Sequence, residues 1–122
     1  MSIALLEAFA EAYNRHDIEA LLALLTEDGV FEMASGPEAC GQRHQGREAL
    51  RTSLAWAWHH WPDARWEEAV HVVSGDRGFS EWTFRGTDAE GRVTEVRGVD
   101  LFELRDGLIA RKDSYRKQRV AG

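Results

Sequence analysis

The segment EVRGVDLFELRDG, residues 95–107, decides the fold because it alternates like a β-strand and ends in a glycine-containing turn. Successive side chains of a strand point to opposite faces of its sheet. The more apolar face of this segment consists of Val96, Gly98, Asp100, Phe102 and Leu104. A carboxylate on such a face is costly unless it is paired or protonated. We therefore expect Asp100 to have either a partner or a function.

The alternating pattern extends over the second half of the chain and predicts an antiparallel meander. Its four runs are separated by short polar turns that contain glycine, and they cover residues 64–74, 79–87, 92–105 and 108–118. In the last run, uninterrupted alternation places Asp113 and Tyr115 on the same face as Ile109. We expect this to be the apolar, inward face of that strand.

The first half of the chain shows helical spacing of apolar residues and predicts three helices. The first covers residues 3–13, and the second begins after the N-cap Asp17 and ends near Gly29. The third runs from Arg47 until Pro62 stops it. A short strand is predicted at residues 30–33 and a loop at residues 34–45. Helices that precede an antiparallel sheet predict an α+β domain with the helices packed on one sheet face.

Length and charge exclude several classes of function. A chain of 122 residues suits one domain, which we assign to residues 1–122. The formal net charge of −6 argues against nucleic acid or an anionic membrane as the main partner. Cys40 is the single cysteine, so no internal disulfide can form. Because the N-terminus also lacks a basic leader, the cytoplasm is the expected compartment.

The histidines do not predict a metal site. His59 and His60 are adjacent and would project about 100° apart on a helix. His44 and His71 lie elsewhere, and no HxH or HExxH spacing occurs. Cys40 lies in a glycine-containing loop without a neighbouring nucleophile motif. We therefore expect neither a metal nor another cofactor.

Aromatic residues accumulate on one face of the predicted strands and on one side of the third helix. A mainly aromatic lining with a few polar groups is typical of a small-molecule pocket. The alternative is that these side chains only fill the core, which we expect for most of them. The candidate pocket residues are Tyr13, Phe31, Met33, Leu54, Trp58, Trp66, Trp82, Phe84, Phe102 and Tyr115.

Several segments resemble the nuclear transport factor two-like superfamily, and within it the SnoaL-like polyketide cyclases and the ketosteroid isomerases. These segments span nearly the whole chain and are AYNRHDIEALLALLTEDGVFEM, GREAL, WPDARWEEAV, EWTFRGT, VRGVDLFELRDGLI and KDSYRKQ. The resemblance implies a cystatin-like, cone-shaped α+β barrel, in which three helices pack on a curved, mostly antiparallel sheet. It also implies a cavity at the open end and a homodimer formed through the outer sheet face.

The resemblance further implies roles for single residues. Asp100 matches the acidic residue that SnoaL-like cyclases use as acid or base. Asp113 resembles the second carboxylate of the related limonene epoxide hydrolase, which has an arginine where this chain has Gly98. Ketosteroid isomerases have a general base and a tyrosine where this chain has Met33 and Phe9, so ketosteroid isomerase activity is not expected.

Two hypotheses about function follow. The first is a cofactor-independent enzyme of the cyclase, isomerase, dehydratase or hydrolase type that acts on a small hydrophobic molecule. Asp100 would transfer a proton in this enzyme, with Asp113 or Tyr13 assisting. The second is a non-catalytic module of the same fold that binds a small molecule or takes part in assembly.

Overall fold

The computed structural model describes residues 2–120, which form three helices and six strands. The helices are α1 (Ile3–Asn14), α2 (Ile18–Ala23) and α3 (Arg47–His60). The strands are β1 (Leu25–Glu32), β2 (Arg43–Gln45), β3 (Arg65–Ser74), β4 (Arg77–Thr87), β5 (Val93–Arg105) and β6 (Leu108–Arg116). The first and third predicted helices and the meander are confirmed, the second helix is shorter than predicted, and β2 lies in a segment predicted as loop. Within residues 2–120 no helix has the length and hydropathy that crossing a lipid bilayer requires.

All six strands form one sheet, in the order β2-β1-β6-β5-β4-β3. The strands from β3 to β6 are antiparallel neighbours, whereas β1 runs parallel to β6. The α+β fold with three helices on a mostly antiparallel sheet is therefore confirmed, and the sheet is open because β2 and β3 are its edges. Because β6 is an interior strand between β1 and β5, its inward side chains lie over the middle of the inner sheet face and away from the sheet edges.

The helices cover the inner face of the sheet and form the core with it. Leu6 of α1, Leu21 of α2 and Leu50 of α3 are fully buried in this layer. Burial of each such side chain contributes about 1.5–3 kcal/mol. Tyr13 connects α1 to α3, because its hydroxyl donates to the backbone oxygen of Leu54 at 2.9 Å.

The second helix is shorter than predicted. It ends at Ala23, and β1 begins at Leu25, so Gly29 lies inside the strand and does not end the helix. A Cβ on Gly29 would lie 3.1 Å from the backbone oxygen of Thr26 and 3.2 Å from Cδ1 of Leu50. Gly29 is therefore explained by the close packing of β1 on α3.

A β-bulge changes the faces of β6. Leu104 pairs with Ile109, but the next pair joins Glu103 to Arg111, so Ala110 is an extra residue. A shift of one residue moves every following side chain to the other face of the sheet. The predicted uninterrupted alternation of this strand is therefore wrong.

Beyond the bulge, the inward-pointing residues are Lys112, Ser114 and Arg116. Asp113 and Tyr115 consequently point outward, which corrects the prediction that they share the inward face. The register has an electrostatic reason. Without the bulge Asp113 would lie directly opposite Asp100, and like charges at such positions destabilise a sheet. The bulge places Ser114 opposite Asp100 instead.

Two glycines allow indole rings to lie directly on the backbone of the sheet. The ring of Trp82 covers Gly98, where a Cβ would lie 2.6 Å from Cζ3 of the indole. A Cβ on Gly86 would likewise lie 2.7 Å from Cγ of Trp61. An arginine at Gly98, as in limonene epoxide hydrolase, would therefore displace Trp82 from the inner face.

Candidate functional site

A cavity of about 180 Å³ lies between the inner sheet face and the helices α1 and α3. Its volume is below the range of about 300–1,000 Å³ that is usual for drug-sized ligands, so it suits a smaller molecule. Ala34, Ser35 and Arg116 line both this cavity and a wider surface groove of about 690 Å³, so they form the cavity mouth. The candidate pocket residues found in the wall are Tyr13, Phe31, Met33, Trp66, Trp82 and Phe84.

The other candidate pocket residues lie elsewhere. Leu54 and Phe102 are fully buried in the core, and Tyr115 lies on the outer sheet face. Trp58 stacks on the imidazole of His16, with ring centroids 5.0 Å apart. Helical periodicity identifies the inward side of α3 but not the positions that reach the cavity, which are Ser53, Trp56 and Ala57.

Asp100 is buried on the inner face and has three polar partners. Trp82 Nε1 donates to its Oδ2 at 3.1 Å, and Ser114 Oγ donates to its Oδ1 at 2.5 Å. Lys112 Nζ lies 3.2 Å from the same Oδ1 and completes an ion pair. The predicted inward position of Asp100 is confirmed, and its partner is a lysine on the neighbouring strand.

Lys112 is the cationic half of this pair, with a side chain that is 5% exposed. Its ammonium also donates to Ser114 Oγ at 2.7 Å and lies 4.1 Å from the ring centroid of Phe31. Burial lowers the pKa of Lys112, while the carboxylate of Asp100 acts in the opposite direction. A lysine with a lowered pKa exchanges its proton more readily than a surface lysine, as acid/base chemistry requires.

Lys112 and Ser114 belong to the cavity wall, whereas Asp100 lies behind them. The structure therefore does not bring Asp100 directly to a molecule in the cavity. It brings Asp100 into contact with three wall residues, Trp82, Lys112 and Ser114, each through an N–H or O–H group. Lys112 and Ser114 therefore offer a route by which a proton can move between the cavity and Asp100.

Asp113 belongs to a different cluster, on the outer face. Its carboxylate lies 3.5 Å from Arg111 Nη1, and Arg111 also pairs with the buried Glu32. Glu32 accepts two hydrogen bonds from Arg43, at 2.6 and 2.9 Å. Burial, together with the nearby Glu32, raises the pKa of Asp113. Because the sheet separates Asp113 from Asp100, the two predicted catalytic carboxylates do not meet.

Sequence patterns miss five polar residues of the wall, which are Ser35, Ser53, Lys112, Ser114 and Arg116. The last three follow the bulge in β6. The sequence signal that could reveal the bulge is charge pairing across β5 and β6, because only the bulged register places Arg111 opposite Glu103.

Ser53 is 6% exposed, and its Oγ has no hydrogen-bond partner within residues 2–120. A bound molecule could complete that missing contact.

The two residues at the positions where ketosteroid isomerases have their general base and tyrosine differ in their access to the cavity. Met33 lines the cavity, but Phe9 is buried in the core, where its ring centroid lies 5.6 Å from that of Phe102. Tyr13 presents its ring to the cavity and stacks on Trp66, with centroids 4.2 Å apart. Its hydroxyl donates to the backbone of Leu54, so the proton of Tyr13 is directed away from a bound molecule.

The other candidate ligand residues do not gather at the cavity. Within residues 2–120, no three His, Cys, Asp or Glu side chains come close enough together to hold a metal ion. His59 and His60 end α3, and His60 stacks on Trp56 with centroids 5.1 Å apart. Cys40 is a partly buried free thiol in the loop between β1 and β2.

Comparison with known proteins gives one family match. Residues 6–112 match the family model described as SnoaL-like domain. The match covers β5 and the first part of β6, and it includes both members of the buried ion pair, Asp100 and Lys112. No curated protein sequence gives a significant match to the chain.

Solved structures similar to the chain have the same fold. A nuclear transport factor two-like protein of unknown function from Mesorhizobium loti is 31% identical, with a TM-score of 0.76 over 94% of this chain and 89% of that chain. A candidate polyketide cyclase from Xanthomonas campestris pv. campestris is 29% identical, with a TM-score of 0.81 and coverage of 92% and 87%. TerC, co-crystallised with polyporic acid, is 21% identical with a TM-score of 0.79 and coverage of 94% and 90%, a likeness of fold alone.

Replacing Tyr13 by phenylalanine should remove a loss of stability at alkaline pH. Burial, followed by the nearby Asp100, raises the pKa of Tyr13 above its ordinary value of 10.0. The unfolded chain therefore releases this proton at a pH where the folded chain keeps it. Above about pH 10, the free energy of unfolding of wild-type protein should therefore fall relative to that of Tyr13→Phe, by about 1.4 kcal/mol for each pH unit.

Urea unfolding of both proteins between about pH 8 and pH 11 measures this difference. At the lower pH, Tyr13→Phe should be the less stable protein by about 1 kcal/mol, because the carbonyl of Leu54 loses its donor. A constant difference across the range would contradict the buried, hydrogen-bonded position of Tyr13.

Proposed function

The chain belongs to the SnoaL-like domain family, and from that membership we propose that it is an enzyme that transfers a proton on a small hydrophobic molecule bound in the aromatic cavity. The observation that carries this proposal is the buried ion pair of Asp100 and Lys112, whose lysine reaches the cavity wall. Proton transfer is the step that cyclases, isomerases, dehydratases and hydrolases of this fold have in common.

Stability alone does not account for this ion pair. A buried pair recovers its desolvation cost only with excellent geometry, and well-packed apolar residues of similar volume are often as stable or more stable. Here Phe31 and Trp82 already surround the pair with apolar surface. Apolar residues at both positions would fit these surroundings, so we assign the two charges to chemistry.

Lys112 and Ser114 are the catalytic residues of this proposal, because both reach the cavity. The Lys112 ammonium donates to a substrate oxygen and stabilises the negative charge that develops there. Ser114 takes the substrate proton while it passes its own hydroxyl proton to Asp100 Oδ1, which lies 2.5 Å away. The proton thus ends on Asp100 and the charge on the substrate oxygen, and the reverse steps restore the ion pair.

A non-catalytic binding module is the second candidate, and one observation favours it. Both carboxylate oxygens of Asp100 already accept from protein donors, namely Trp82, Ser114 and Lys112. A network satisfied in this way also gives a rigid cavity with a defined shape. The two candidates differ in whether a bound molecule exchanges protons with the protein.

Deuterium uptake by bound carbonyl compounds should separate the two candidates. In heavy water, wild-type protein should catalyse exchange at the carbon next to the carbonyl of a small cyclic ketone, because enolisation needs only the proposed proton transfer. Lys112→Gln and Asp100→Asn should each slow this exchange by about 10²–10⁴-fold. Proton NMR on a panel of single-ring ketones, with binding read separately by thermal shift, measures both quantities.

The matched control is Lys117→Gln, which removes an exposed lysine five positions along the same segment. It should leave the exchange rate unchanged. Ketones that bind wild-type protein without any catalysed exchange would refute the enzyme and favour the binding module.

We also propose that the chain, as a single cytoplasmic domain, forms a homodimer through the outer sheet face. Val72, Phe79 and Leu101 are cross-strand neighbours on this face. Val72 is 43% exposed and Leu101 is 40% exposed, which leaves apolar surface in contact with solvent. Arg77 and Glu103 form an ion pair beside this patch. In a two-fold symmetric dimer, each of them could face the opposite charge of the same pair on the partner.

Leu101→Lys should convert the dimer into a monomer, because it places a charge in the centre of the proposed interface. Native mass spectrometry at micromolar concentration measures the oligomeric state. The control is Val93→Lys, at a site that is 72% exposed and near the beginning of β5, and it should leave the dimer intact. A wild-type monomer, or a Leu101→Lys dimer as stable as the wild-type dimer, would contradict this interface.

A further inference from the structure

We infer that the molecule bound in the cavity carries an anionic group, a carboxylate or an ionised enol, and that Arg116 binds this group at the cavity mouth. The inference rests on the proposed function only in taking the cavity as the ligand site. It adds the chemical class of the ligand and a residue that determines specificity.

Arg116 is directed into the mouth by its place on the sheet. It follows Ser114 on the inner face of β6 and pairs with Gly98, which has no side chain to contact it. Its guanidinium carbon lies 5.5 Å from the ring centroid of Trp61 and 5.8 Å from that of Phe84. Arginine stacked on aromatic rings keeps its N–H groups free at the edge of the plane, where they can bind a carboxylate with two hydrogen bonds.

Arg116 differs from the other arginines in the described part of the chain. Each of those contacts a carboxylate or a backbone carbonyl. The guanidinium of Arg116 has no carboxylate within 4.0 Å and no side-chain hydrogen bond within residues 2–120. A guanidinium that lines a cavity without a protein partner is available to a ligand.

The charge balance of the cavity points in the same direction. The two cations Lys112 and Arg116 face one carboxylate, Asp100, although the whole chain has a net charge of −6. Partial desolvation at the mouth lowers the pKa of Arg116, although the residue stays exposed, and the proximity of Arg116 also acts to lower the pKa of Lys112. A bound anion would relieve both unfavourable effects.

The spacing along β6 limits the size of the ligand. Arg116 lies two residues beyond Ser114, which corresponds to about 7 Å along a strand. This distance matches a molecule of one ring, with the anionic group at one end and the carbon that gives its proton to Ser114 at the other. A single-ring molecule also agrees with a cavity of about 180 Å³.

Binding of benzoate and benzamide tests the inference, because the two compounds have nearly the same shape and differ in charge. Isothermal titration calorimetry should show that wild-type protein prefers benzoate by about tenfold or more. Arg116→Gln should reduce this preference to about twofold while leaving the affinity for benzamide unchanged. The control Arg105→Gln, at the opposite end of the β5–β6 hairpin, should behave as wild type.

Three results would overturn the inference. One is a wild-type protein that binds the two compounds equally well or does not bind benzoate. Another is an equal loss of affinity for both compounds in Arg116→Gln. The third is a preference that Lys112→Gln abolishes and Arg116→Gln retains. If benzoate is preferred through Arg116 but no ketone exchanges deuterium, the enzyme proposal fails and the anionic ligand stands.

Discussion

The ion pair between Asp100 and Lys112 is the interaction on which the rest of the site depends. It holds a lysine at the wall of an aromatic cavity and keeps both charges away from water, where each alone would be costly. Ser114 shares the pair with both partners, and Trp82 donates to the remaining carboxylate oxygen. The polar part of the cavity is thus one connected unit, and a change in any member alters the surroundings of the others.

The fold produces this unit through small deviations from regular structure. The extra residue Ala110 turns Lys112 and Ser114 toward the cavity. Gly98 allows the indole of Trp82 to lie on the backbone, which brings its Nε1 to Asp100. Parallel pairing of β1 with β6 then places Phe31 beside Lys112 as the apolar cover of the ammonium. Site and architecture therefore share the same few residues.

Most of the architecture could be predicted from the sequence, because helical spacing and strand alternation directly reflect burial. The inward position of Asp100 follows in the same way, as do Tyr13, Trp66 and Trp82 as wall residues. The cationic part of the site could not be predicted by alternation, since a bulge at an ordinary alanine has no mark in composition. It becomes visible only when opposite charges are paired across β5 and β6.

A double-mutant cycle of Asp100→Asn and Lys112→Met, measured by chemical unfolding, tests the central claim most directly. If the two side chains form a buried ion pair, each single substitution should cost about 3–5 kcal/mol, because it leaves an uncompensated charge. The double variant should then be more stable than the sum of the single effects implies, with a coupling energy of about 1–3 kcal/mol. Additive effects, within about 0.5 kcal/mol, would contradict the ion pair and the account of the site that is built on it.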